Sequence, residues 1–456
     1  MNRVVGRAGI SMILMVALAA GMVFFLGDYL INSGDWVVSE GSPFVSVEFS
    51  GISGTVTDRN GVVLMDTSDG KVYSDDETLR SSVIHWLGDR KGAIYAPTIS
   101  YYASLMTKHD VVNGLYAYGN DGGSIRLTVS AAVQKAALEA MGDYKGTLAV
   151  YNYKTGQILC AVTTPTYDPD NVPDIAGDTT GAWEGAYVNR FLRSTYTPGS
   201  IFKIVTLAAA LENIPDIREQ TFCCEGETAY GIDKVTCMKK HGEQSLEKAF
   251  LNSCNCAFAA IADQLGGETL QEYAEKMGLT SSVCFDGVSS AAGSISAAGE
   301  PAVMVAWSAI GQHKDLVNPC SFLTMLGAVA NGGQGAMPYI VEKIDGGKWG
   351  TYQAQSQQTA AMIAPETAAA LQQMMRNNVE NYYGDENFPG LTVCAKSGTA
   401  EVGGDVNNSL LAGFVTDEEY PLAFLVIVED GSYGRQTCVP MMSKVLAACK
   451  AALDGE

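Results

Sequence analysis

Apolar positions fall along this chain in three kinds of run. The first is unbroken: Ala8 to Leu26 holds 19 residues without a charge. At roughly 1.5 Å per residue that is about 28 Å of helix, close to the hydrocarbon thickness of a bilayer. The second kind is short and β-rich. Gly54 to Leu64 reads as a hairpin around Asn60-Gly61, Ile125 to Val129 as a short strand, and Gly146 to Tyr153 with Gln157 to Thr163 as a hairpin around Lys154-Thr155-Gly156. Leu391 to Ala395, Ser409 to Val415 and Leu422 to Glu429 are three more such runs near the end. The third kind has helical spacing: Ala131 to Met141, Ile204 to Leu211, Cys256 to Leu265 and a closing helix from Met441 to Leu453. Strands at both ends of a helical middle predict an α+β fold in which one sheet collects the first and last segments.

The same pattern divides the chain. Residues 1–7 form a short tail, 8–26 a membrane anchor, 27–50 a juxtamembrane linker, 51–123 a small β-rich unit, and 124–456 a larger one, with the patch Gly119 to Gly123 as the boundary. Arg3 and Arg7 precede the apolar run and Asp28 follows it, so the positive-inside rule puts the tail in the cytoplasm and the rest outside. A cleaved signal peptide is the rival reading, because Ala17-Leu18-Ala19 has the look of a cleavage site. The apolar run continues from Met22 to Leu26, past that point, which favours an uncleaved anchor.

Composition narrows the possibilities further. With 456 residues, 47% hydrophobic and 17% charged, the chain can bury a large core and is not disordered. A net charge of −21 argues against a nucleic-acid partner. There are 11 cysteines, and an address outside the membrane would permit disulfides. Cys224 and Cys237, in a Gly-rich segment, are the first pair to test. Cys160, Cys394 and Cys449 sit in apolar runs and read as buried thiols. Cys223, Cys224, Cys237 and His241 could suggest zinc, but no C-x-x-C pair or second histidine supports it, so no metal is expected. His85, His109, His241 and His313 read as structural.

The chemistry lies in three small motifs. Thr197-Pro198-Gly199-Ser200-Ile201-Phe202-Lys203 puts a serine and a lysine three residues apart at a helix start, where i and i+3 share a face. A serine beside an amine that takes its proton is a nucleophile needing no histidine. Ser253-Cys254-Asn255 follows about 50 residues later, and Lys396-Ser397-Gly398-Thr399 about 140 residues after that, on a strand. Each alone is commonplace: a solvated helix turn, a helix cap, a charged edge strand. Their conjunction, S-x-x-K, then S-x-N, then K-S/T-G, is the pattern of serine penicillin-recognising enzymes. No G-x-S-x-G elbow is present to support a Ser-His-Asp hydrolase.

In these motifs, and in Gly54 to Leu64, Gly146 to Asp170, Asn189-Arg190 and Cys224-Glu225-Gly226, the chain resembles the class B penicillin-binding proteins of the Gram-positive branch, monofunctional peptidoglycan D,D-transpeptidases. The resemblance spans nearly the whole chain. It implies a transpeptidase domain of the serine β-lactamase-like kind, an antiparallel sheet packed with helices plus an all-α subdomain. A small β-rich domain and one transmembrane helix would precede it. The sequence departs from the family pattern at Ile201, Ser397, Asn318-Pro319 and Ser409 to Phe414, where threonine, threonine, Thr-Pro and a His-Ala-Trp-Phe strand are usual. None of these changes removes a reacting group.

The resemblance implies acyl transfer from a D-Ala-D-Ala stem peptide through a Ser200 ester, and penicillin binding at the same place. Lys203 would be the base, held neutral by burial and by the charge of Lys396. Asn255 would hold Lys203 and the substrate amide, and Ser253 would relay a proton to the leaving amine. Lys396 with Ser397 or Thr399 would bind the substrate carboxylate. Gly398 would keep the strand edge clear for a substrate strand. The backbone N–H groups of Ser200 and Thr399 would form the oxyanion hole. No cofactor is implied. The implied partner is a multispanning SEDS-type glycosyltransferase, met through the anchor and first domain. A D,D-carboxypeptidase, a serine β-lactamase-type hydrolase and a non-catalytic scaffold of a wall-synthesis complex are the alternatives.

Overall fold

The computed structural model describes residues 2–37, 54–67, 71–106, 123–346, 351–404 and 406–455. Five antiparallel strands build the central sheet in the order Val393–Gly403, Val406–Val415, Leu422–Val428, Gly146–Asn152, Ile158–Thr164. The first and last segments of the larger unit therefore meet in one sheet, as their β-rich runs predict. The join is a continuous ladder from Leu422 opposite Asn152 to Val428 opposite Gly146. Both faces are covered. Leu148, Val150, Val426 and Val428 pack with Val133, Ala137 and Met141 of the helix Ala131–Met141 and with Met442, Val445 and Leu446 of the helix Gly434–Asp454. On the other face Ala149, Tyr151, Leu425 and Ile427 join the core that contains Phe322 and Met325. Burial on both sides explains why Leu422–Val428 reads as one apolar run rather than an alternation.

The helix Ala131–Met141 forms over the residues its spacing predicts. The closing helix starts at Gly434, earlier than Met441, with Pro440 inside it. Cys438 and Val439 bury on the same face as Met441 and Met442, and that packing extends the helix backwards. The all-α part comprises Lys203–Asn213, Leu246–Leu251, Asn255–Lys276, Ala302–Ala309, Pro319–Ala330 and Pro365–Asn378. Asn318, in place of the family's threonine, caps Pro319–Ala330. Its Oδ1 accepts from the N–H groups of Cys320 and Ser321, and its Nδ2 donates to the carbonyls of Leu192 and Ser194.

The Asn60-Gly61 hairpin pairs Thr55–Thr57 with Val63–Asp66, and Asp58 Oδ1 closes the turn by accepting from Asn60 N and Val62 N, each at 2.8 Å. These strands do not stay within the expected first unit. Ser124–Leu127 pairs in parallel with Thr55–Thr57, and Val341–Asp345 continues the same six-stranded sheet. Of the expected boundary patch, residues 119–122 lie outside the described residues. A second tie is bidentate: Arg80 Nε and Nη2 donate to Asp168 Oδ1 and Oδ2, both at 2.6 Å.

The N-terminal helix runs Asn2–Val37, and Val4–Ser33 is long and apolar enough to cross a membrane. It therefore continues past Leu26 into the stretch expected to be a linker. Beyond the charge-free run, Asn32 Nδ2 donates to Asp28 Oδ1 at 2.6 Å across one turn, a pairing that supports helix there. The rest of that stretch, 38–50, lies outside the described residues.

Candidate active site

The Ser200 segment is a tight turn before it is a helix. Gly199–Phe202 is a 3₁₀ turn that runs directly into the α-helix Lys203–Asn213. Gly199 has φ +53°, and a side chain there would meet the Thr399 carbonyl oxygen at 2.7 Å. The nucleophile turn thus lies against the Lys396–Thr399 strand, and only glycine allows that approach.

Lys203 is fully buried, and its Nζ faces four oxygens: Ser253 O at 2.7 Å, Asn255 Oδ1 at 2.8 Å, Ser253 Oγ at 3.1 Å and Ser200 Oγ at 3.2 Å. A neutral amine can donate to the two oxygens that only accept, Ser253 O and Asn255 Oδ1, and take a hydrogen from a hydroxyl. Burial brings the Lys203 amine down to about 7, against a smaller upward push from the thiols of Cys237, Cys254 and Cys256. The expected opposition between the two lysines shows at Lys396. Lys396 is itself buried and lies well below its ordinary value, from burial first and the charge of Lys203 second. The two lysines oppose each other's protonation across one hydroxyl, for Lys396 Nζ also donates to Ser253 Oγ, at 3.0 Å.

Ser253 stands between the lysines in a left-handed conformation, φ +51°. That conformation is unfavourable for a side chain with a Cβ by roughly 1–2 kcal/mol. Cys254 caps the helix Asn255–Lys276 directly after it. Asn255 divides its amide: Oδ1 accepts from Lys203, and Nδ2 donates to Thr236 O at 2.8 Å.

The strand residues alternate as a strand requires. Lys396 and Gly398 face the nucleophile turn, and a Cβ on Gly398 would press on Ile201 Cγ2 and Pro198 O, each at 3.2 Å. Gly398 is thus needed for the strand to pack on the turn, a different reason from the clear strand edge expected. Ile201, which departs from the family pattern, is the fully buried residue of that contact. Ser397 and Thr399 take the other side. Tyr383 bonds Ser397 twice, accepting from its N–H at 2.7 Å and donating to its Oγ at 2.9 Å. The altered stretch Ser409 to Phe414 still pairs in register, with Ser409 opposite Thr399 and Ala412 opposite Lys396.

All eight predicted residues therefore lie around one turn, one helix start and one strand. Several neighbours had no signal in the sequence. The rings of Phe258 and Phe250 lie under Lys203 and Lys396, with centroids 5.3 and 5.8 Å from the nitrogens. Tyr383 arrives from a one-turn π-helix, Val379–Tyr383. Only the fold brings these three into the site.

The cysteine expectations change. Cys224 and Cys237 are free thiols rather than a disulfide, and Cys160, Cys394 and Cys449 are buried thiols as expected. Cys224, Cys237 and His241 are brought together with Cys254, all four ligand atoms lying within 4.8 Å of one another. Cys223 is exposed and turns instead to Glu225. His241 is thus part of a cluster rather than a bystander, and the cluster adjoins the Ser253–Asn255 turn. Three thiols and an imidazole could hold a borderline-soft cation.

Known proteins share this fold. The penicillin binding protein transpeptidase domain family matches residues 146–447. Peptidoglycan D,D-transpeptidase PbpA of Mycolicibacterium smegmatis is 29% identical over 340 residues, 68% of each chain. Stage V sporulation protein D of Bacillus subtilis is 28% identical over 73% of this chain and 54% of its own. The fold matches the ceftriaxone acyl-enzyme complex of penicillin-binding protein A from M. tuberculosis with a TM-score of 0.76 at 23% identity, over 88% of this chain and 99% of that one. With the domain match covering most of its length, the chain belongs to the penicillin-binding protein transpeptidase family, and within it to the class B proteins its motifs resemble.

Proposed function

We propose that this protein is a peptidoglycan D,D-transpeptidase that works through an acyl-enzyme on Ser200. The observation that carries the proposal is the buried Lys203 amine, held by Ser253 O and Asn255 Oδ1 with Ser200 Oγ 3.2 Å away. Lys203 takes the Ser200 proton as the oxygen attacks the penultimate D-Ala carbonyl of a stem peptide. The backbone N–H groups of Ser200 and Thr399 stabilise the oxyanion. As the tetrahedral adduct collapses, Ser253 passes a proton to the departing D-Ala amine, drawing on the lysines on either side of it. Lys396, with Ser397 or Thr399, receives the substrate carboxylate, whose negative charge restores the ammonium form of Lys396. The amine of a second stem peptide then attacks the ester, and the same groups run in reverse. A β-lactam presents a carboxylate and a reactive carbonyl to the same groups.

We place the protein as a single-pass membrane protein, with residues 1–7 in the cytoplasm and the catalytic domain outside, working beside a SEDS-type glycosyltransferase. Exchanging residues 1–26 for an unrelated anchor weakens co-purification of that partner if the helix takes part. The reaction is tested by measuring D-Ala release from a D-Ala-D-Ala stem peptide with and without an acceptor amine. Transfer predicts a cross-linked product that rises with acceptor. Release that is indifferent to acceptor, with free acid as sole product, would assign the protein to the hydrolases instead.

A further inference from the structure

Cys224 ends the strand Thr221–Cys224, Cys237 follows the strand Asp233–Thr236, His241 precedes the strand Gly242–Ser245, and Cys254 caps the helix Asn255–Lys276. Four separate elements thus deliver three sulfurs and one imidazole nitrogen to one point. Two of the separations match those of a filled coordination shell. A tetrahedral zinc ion with Zn–S of about 2.3 Å and Zn–N of about 2.05 Å spaces its sulfurs about 3.8 Å apart and a sulfur and nitrogen about 3.5 Å apart. Here Cys237 Sγ lies 4.0 Å from Cys254 Sγ and 3.5 Å from His241 Nδ1. A disulfide needs sulfurs about 2.05 Å apart, and all four residues face one centre rather than pairing off. Cys224 and Cys254 are buried, and Cys237 and His241 are partly so.

We propose that Cys224, Cys237, His241 and Cys254 bind one zinc ion, and that this ion positions the Ser253–Asn255 turn. Cys254 is the middle residue of that turn. Its neighbours hold Lys203 by the Ser253 carbonyl and the Asn255 amide. The Asn255 amide also reaches Thr236 O, next to the ligand Cys237. Fixing both cysteines fixes both sides of the Lys203 cradle, including the left-handed Ser253. Ligand-supporting shells of this kind set orientation at a site. The positioning role rests on the acyl-enzyme reading above; zinc binding does not.

The test uses the full-length protein, purified in detergent without chelator. Metal analysis is expected to give one zinc per chain. Exchange for cobalt(II) is expected to produce thiolate-to-cobalt charge-transfer bands and intense tetrahedral d–d bands. Cys237→Ala and His241→Ala lose the metal, whereas Cys223→Ser, at the exposed neighbour, keeps it. Stripping the ion slows acylation by a fluorescent penicillin about tenfold or more, and zinc restores the rate. The cobalt spectrum of the unaltered protein decides the matter even if the variants fail to fold. Metal-free protein with all three thiols reduced, a mapped disulfide among Cys224, Cys237 and Cys254, or full zinc retention in Cys237→Ala overturns the site. Acylation unchanged after stripping overturns the positioning role. A chain that holds zinc but is never labelled by penicillin supports the site and contradicts the transpeptidase reading.

Discussion

Asn255→Asp is the substitution that most sharply separates a neutral Lys203 from a merely buried one. It keeps the shape and keeps the oxygen that accepts from Lys203 at 2.8 Å, but makes that oxygen anionic. At 2.8 Å and an effective dielectric of about 20, the attraction is about 6 kcal/mol. Much of this is offset by the burial of the new carboxylate, and a partner at this distance moves a neighbour by about 1–3 pH units. The Lys203 amine, at about 7 in the native site, then titrates at roughly 8–10. The sign follows from the role. A base works only unprotonated, so the acylation rate falls as pH drops below the lysine's value, about tenfold per unit. The native protein should show an acid limb at about 7. The variant should lose roughly 5- to 500-fold at pH 7 and recover steeply at higher pH. The assay is the second-order rate of fluorescent-penicillin acylation between pH 5.5 and 9.5, which reports groups of the free enzyme. A uniform loss at every pH, with the limb left at about 7, would refute Lys203 as the titrating base.

Other substitutions probe the supports of the site. Gly398→Ala places a Cβ 3.2 Å from Ile201 Cγ2 and Pro198 O; it should lower stability by about 1–3 kcal/mol in urea unfolding and slow acylation, and a native acylation rate would show that the strand does not need to lie on the turn. Tyr383→Phe removes the acceptor of the Ser397 N–H, at a cost of about 1–3 kcal/mol; steady-state kinetics should show a raised KM for stem peptide with kcat little changed. Leu425→Ala, at a position 1% exposed between the sheet and its helices, should cost about 2–5 kcal/mol, read by denaturant midpoint, and leave the acylation rate of the folded fraction unaltered.

Much of this protein was legible in its sequence because its motifs are local. The helix Ala131–Met141 and the hairpins at Asn60-Gly61 and Lys154–Gly156 follow from spacing and turn residues over a few positions. The three motifs carry their own reacting groups. What escaped is long-range. The parallel pairing of Ser124–Leu127 with Thr55–Thr57 ties the two expected units through one sheet, and nothing in either strand announces it. Tyr383, Phe250 and Phe258 look like ordinary core aromatics until the fold sets them against Ser397, Lys396 and Lys203. The cysteine cluster was half visible. Cys224, Cys237 and His241 could be picked out, but Cys223 stood in for the real fourth member. Cys254 was hidden inside a catalytic triplet, about 13 residues beyond His241 and far from any C-x-x-C spacing. The packing of Gly398 on the nucleophile turn escaped for a related cause: a sequence shows that bulk is absent, not which neighbour requires it.

The central claim is that Ser200 carries the acyl group, and covalent mass mapping tests it most directly. The intact protein treated with penicillin should gain the mass of one ring-opened penicillin, and digestion should place it on the peptide bearing Ser200, with Ser200→Ala taking up none. Labelling that persists in that variant, or an adduct mapped to any other residue, would contradict the account.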